Sequence, residues 1–277
     1  MTANVTTMKT MKKTVLALIL AGVAAGASAH RPWIMPTNNF IEAKEPAVTI
    51  DGAISDQLFE FDTNALKMES AMVTDPDGAM AAIPAPTLMR FRSSVDLKLP
   101  KDGTYKISMV SLNTMGSWKV NGEMKRFRGT EEAFAREVPA GATDVSRSTT
   151  HARIETFVTA NKSSMGAFKP TGEGLEMIPL TNPTELRSGE TARVRFTLDG
   201  KPLANQPFSL IPGTVRYRGV LGELRLVTDA KGEASIKLPA PNQYFLGVSY
   251  PNEERKGPPA NGSKRYSYTA TLAVLPE

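Results

Sequence analysis

The segment VDLKLPKDGTYKISMV, residues 95–110, sets the fold class. Val95, Leu97 and Leu99 alternate with Asp96 and Lys98, and a period of two places the apolar side chains on one face of a strand. Pro100-Lys101-Asp102-Gly103 is a turn, because proline cannot donate to a ladder and Asp-Gly tolerates the positive φ of tight connections. Tyr105, Ile107 and Met109 then alternate with Lys106 and Ser108. The segment therefore reads as a β-hairpin.

The same device recurs on both sides. Asp75-Pro76-Asp77-Gly78 follows the strand-like Ala71-Met72-Val73, and the strand-like Arg153 to Val158 lies downstream. Gly116 to Arg147 is polar and loop-like, with a short helix expected over Glu131 to Arg136. Beyond Leu175 come short alternating runs at Glu176–Leu180, Ala192–Leu198, Phe208–Ile211, Ala234–Leu238, Tyr244–Val248 and Tyr268–Leu275. No long apolar pattern of helical period appears. Short strands bounded by turns predict an all-β chain of two immunoglobulin-like or transthyretin-like sandwiches. Lys169-Pro170-Thr171-Gly172-Glu173-Gly174 is the turn-rich link between them, which gives domains of 30–172 and 173–277. Arg216-Tyr217-Arg218 reads as an exposed strand face.

Residues 1–29 read as a targeting segment. Lys9, Lys12 and Lys13 precede an apolar run of 11 residues, Val15 to Ala25, and Ala27-Ser28-Ala29 is a small-x-small cleavage site. Charge, length and site together make a secretory signal peptide cleaved after Ala29. The run is too short to cross a bilayer, which takes about 20 residues. The mature chain is therefore expected to be periplasmic and not inserted in a membrane. Cleavage leaves 248 residues with 30 basic and 28 acidic side chains, a net charge of +2. So small a charge argues against nucleic acid as a partner.

The 277 residues contain no cysteine and only two histidines, His30 and His151. The first count removes disulfides, thiolate metal sites and cysteine nucleophiles. No G-x-S-x-G elbow, H-E-x-x-H pair, Walker loop or dinucleotide fingerprint occurs, so the chain reads as a non-enzyme.

Several stretches resemble one bacterial family. AHRPWIMPT at 29–37 resembles the mature start of the periplasmic nickel-uptake substrate-specific domains, a family otherwise of unknown function. DGTYKISM at 102–109 is similar to its middle hairpin. GEGLEMIPLTNPTELRSGETARVRFTLDGKPLANQPFSL at 172–210 and TDAKGEASIKL at 228–238 are similar to its C-terminal half. The resemblance implies a periplasmic, two-sandwich, metal-associated protein linked to nickel or cobalt uptake.

The chemistry gathers at the new N-terminus. Cleavage after Ala29 makes His30 the first residue, whose α-amine and ring Nδ1 can close a chelate on one ion. An α-amine and an imidazole both give up protons to a metal near neutrality. His151 opposite would complete a three-nitrogen brace suited to copper(II) or nickel(II). Met35 is a candidate axial thioether, although methionine more often fills a core. Ordinary packing is the alternative for each: a hydrogen-bonded His30 beside Trp33, and a half-buried strand histidine at 151.

Three functions follow as expectations. The first is a metal-binding accessory protein serving an outer-membrane receptor or uptake transporter. The second is a metal-free interaction module docking to an envelope partner, and the third a copper-brace oxidase.

Overall fold

Residues 95–110 do form two strands, Ser93–Lys98 and Gly103–Val120, but the two do not pair with each other. Ser93–Lys98 lies between Ala47–Ser55 and Thr87–Leu88 in one antiparallel sheet, which Arg31–Pro36 extends. Gly103–Val120 pairs instead with Thr143–Ala160, Met72–Thr74 and Glu123–Gly129 in a second sheet. The expected hairpin is thus a corner between layers. Val95, Leu97 and Leu99 meet Tyr105, Ile107 and Met109 across one core, face to face, with Ile34, Ile50, Ile154 and Val158. Gly103 makes the corner at φ +141°, where a Cβ would collide with Pro76.

The computed structural model describes residues 30–252 and 260–277, and the expected signal peptide lies outside them. The fold is all-β, with sandwich-like layers. The ten-stranded second sheet also takes in Asn242–Tyr250, Ser263–Val274, Pro207–Pro212 and Leu224–Val227 from the C-terminal half. Thr143–Ala160 joins the halves by running parallel to Ser263–Val274, with His151 beside Tyr266 and Arg153 beside Tyr268. A four-stranded sheet of Leu175–Pro179, Thr191–Leu198, Lys201–Pro202 and Glu233–Lys237 covers the C-terminal end.

Alternation makes one sheet serve two cores. Along Thr143–Ala160, Ile154, Val158 and Ala160 face the N-terminal core, while Phe157 faces the C-terminal core of Phe196, Leu210, Leu246 and Tyr268. A smaller third cluster of Trp33, Ala53, Leu58, Ile211 and Phe245 spans the halves. Arg31–Glu277 forms one compact unit.

Two further segments differ from the sequence reading. Residues 116–147 are not a loop: the strands run on to Val120 and resume at Thr143, with Glu123–Gly129 beside them. The expected helix is present as Glu131–Glu137, capped by Thr130 Oγ1 accepting from Ala133 N at 3.2 Å. Its Phe134 packs edge-on to Trp118 and Phe127, closing a projecting arm. Residues 215–218 form a short helix rather than a strand face.

Candidate functional site

Arg31–Pro36 is an edge strand that, among the described residues, pairs only with Ala47–Ser55, from Arg31 opposite Ser55 to Pro36 opposite Ile50. Its register is fixed by Trp33, fully buried, whose Nε1 donates to Ser55 Oγ at 2.8 Å. Phe59 and Phe61 lie against the same indole, with ring centroids 5.5 Å away. Met35, the candidate thioether, is half-buried and packs against this cluster as a core filler does. His30, immediately before the strand, is exposed.

His151 lies elsewhere. Trp33 packs on Ile211 and Phe245, whose neighbours Leu210, Tyr244 and Leu246 face the C-terminal core, so Trp33 sits on the outer side of those strands. His151, two residues from Arg153 and six from Phe157, belongs to the inner side. Arg31 shares the outer side with Trp33, and its charge is felt by Glu223, which accepts a hydrogen bond from Ser209 on that face. Neither Arg31 nor Met35 lines the space around His151. The structure therefore does not bring Met35 and His151 together. Among the described residues no three His, Asp or Glu side chains converge as metal ligands.

The space around His151 is a cavity of about 410 Å³ between the long strands, the 173–174 link and the turn at Asp199. Val110 and Leu112 form an apolar wall that is 41% and 58% exposed. Tyr266 stands edge-on to His151 at 6.0 Å, and Glu173, Asp199 and Lys264 bring charge. Gly174 presses on the imidazole, so that a Cβ there would run into the ring. Its φ of +67° also favours glycine. Gly174 N donates to Asp199 Oδ1 and Asp199 N to Gly174 O, both at 2.9 Å. Burial, and then the Arg153 charge, hold His151 below its ordinary range, against the smaller opposite pull of Asp199, Glu173 and Glu176. That shift favours the neutral imidazole.

Behind the cavity is a buried ionic cluster that the sequence reading missed. Glu155 Oε1 lies 3.6 Å from Arg153 and 4.0 Å from Lys106, and Glu155 Oε2 accepts from Tyr268 Oη at 2.7 Å. Arg153 Nη2 lies 3.7 Å from Glu176 and donates to Glu173 O at 3.0 Å. Glu176 accepts from Thr171 N at 2.9 Å and Gly172 N at 2.8 Å. Two cations and two carboxylates neutralise one another where single charges would be costly. Burial, with Glu155 adjacent, drives the Tyr268 phenol well above its usual range. The cluster fixes the 171–174 link and so sets Gly174 against His151. Charged residues inside a strand read as solvent-facing, which is why alternation could not find them; only their pairing in space does.

A family described as a domain of unknown function, DUF4198, matches residues 27–252. The chain belongs to the DUF4198 family. No curated protein matches this DUF4198 chain. Among solved structures, the D0-D1 domain of intimin is similar at 12% identity and a TM-score of 0.23, covering 87% of this chain and 97% of that one. Escherichia coli alpha-2-macroglobulin activated by porcine elastase is similar at 10% identity and a TM-score of 0.22, covering 90% of this chain and 31% of that one. Among the described residues of the DUF4198 chain no helix is long and apolar enough to cross a membrane.

Proposed function

We propose that this DUF4198 protein is an exported, periplasmic, non-enzymatic carrier of a transition-metal ion, held by the histidine that processing leaves first. The signal-like pattern of Lys9 to Ala29 puts the cut before His30. The observation that carries the reading is the anchoring of the next residues: Arg31 is paired with Ser55 and Trp33 is locked into a buried cluster. The residues that follow the donor histidine are thus already ordered, so a chelate would not have to order them, which favours affinity.

The α-amine and Nδ1 of His30 supply two nitrogens, suited to copper(II) or nickel(II), with cobalt(II) as a further candidate. With Arg31 and Trp33 on the side of the sheet away from His151, the reading rests on those two nitrogens rather than on a paired brace. A two-nitrogen grip leaves coordination positions open, which suits an ion handed to an uptake receptor or transporter.

Calorimetry with copper, nickel, cobalt and zinc on protein beginning at His30 tests this. Acetylating the α-amine of His30, or replacing His30 by alanine, removes one of the two donors and should abolish binding of the preferred ion. Unchanged affinity in both altered proteins overturns the reading.

The projecting arm favours a second reading, an interaction module for an envelope partner. Met115 and Met124 are about half exposed there, outside any core.

A further inference from the structure

We infer that the cavity beside His151 is a second binding site, for a primary amine carrying a small apolar or aromatic body. Its walls divide by chemistry. Val110 and Leu112 offer apolar surface that no other part of the described chain covers, and Tyr266 adds an aromatic edge. Asp199 and Glu173 bring carboxylates to the same space, and both act on the His151 ring. Asp199 spends Oδ1 on Gly174 N, and its Oδ2 accepts no hydrogen bond from a described residue. The imidazole, pushed toward its neutral form by burial, favours offering a lone pair.

An ammonium group fits these acceptors, and a hydrocarbon body fits the wall. The other charges do not reverse this balance. Glu131 is paired with Arg147 at 2.8 Å. Lys264, on the Tyr266 side of the strand, faces the cavity and offsets one of the two carboxylates, leaving the other uncompensated; Arg265, also at the cavity's edge, extends by alternation to the opposite side. A bare metal ion fits poorly, because no three His, Asp or Glu side chains converge among the described residues. The walls are held in place: Arg153 and Glu176 pin the link that carries Glu173 and Gly174.

The test is an amide-shift titration of the protein beginning at His30 with phenethylamine, using 2-phenylethanol as the neutral control. The expected result is saturable shifts around His151, Gly174 and Tyr266, with the alcohol roughly tenfold weaker or more, as befits a charge-assisted contact. Asp199→Asn should weaken the amine by a similar factor while keeping the fold, since Asn retains the acceptor for Gly174 and suits the φ of +49°. Glu173→Gln, on an exposed side chain, gives a second reading if Asp199→Asn does not fold. Absence of saturation, equal binding of the alcohol, or an amine affinity unmoved in the folded variants would overturn the site. None of these outcomes depends on His30, so this site and the metal reading stand or fall separately.

Discussion

Gly174 is where local backbone and cavity chemistry meet. Its positive φ and the imidazole packed against it leave no room for a methyl group. Gly174→Ala is expected to cost about 1–3 kcal/mol, the range for a strained left-handed residue, and to displace the His151 ring signals. A denaturant melt within about 0.5 kcal/mol of the parent would contradict the packing described. His151 makes a second prediction at this scale. Its folded midpoint is depressed by burial and Arg153, so below the ordinary value near 6.5 the unfolded chain binds more protons than the folded one. Stability should therefore fall as pH drops through the window below about 6.5 and lose this dependence above it. A ring-proton titration should show a midpoint under 6.5, and His151→Gln should flatten the stability profile there. A midpoint at or above 6.5 would be evidence against a half-buried, neutral ring.

At the scale of elements, the projecting arm owes its order to a few aromatic contacts. Phe134 is buried against Trp118 and Phe127, and Gly116 lies so close that a Cβ would strike the Phe134 ring. Phe134→Ala should remove about 3 kcal/mol or more locally, the usual cost of deleting a buried aromatic ring. Amide exchange should then rise across 114–137, and unchanged protection there would contradict the arm's construction. This arm also shows how far the sequence is legible. Thr191–Leu198 and Glu233–Lys237 were readable because each buries one face, so polarity alternates. Residues 116–147 expose most of both faces, leaving no alternation to read, and only the capped helix stood out. Residues 153–158 read correctly as a strand, but not as a doubly buried one: both faces are covered, and Arg153 and Glu155 are neutralised inside. Alternation at 95–110 identifies the inward faces of two strands but not their partners, so a corner between sheets looks like a hairpin. Of the site, His30 and His151 were visible as scarce residues. The cavity was not, since Glu173, Asp199 and Tyr266 come from three separate elements.

At the scale of the molecule, one sheet supplies a wall to two cores, with Phe157 facing one and Val158 the other. Damage to either core should therefore register in a single unfolding transition. Phe196→Ala in the C-terminal core and Ile50→Ala in the N-terminal core should each cost about 2–5 kcal/mol and lower the same calorimetric peak. Two separable peaks would show that the shared sheet does not couple the halves. The same scaffold holds Arg31 and Trp33, which follow the histidine on which the metal reading depends. Native mass spectrometry of the exported protein probes that dependence most directly. The account predicts a chain beginning at His30 that retains one copper or nickel ion and sheds it when acid protonates the donor nitrogens. A mature chain that starts at any other residue, or one that begins at His30 and takes up neither ion on reconstitution, would contradict it.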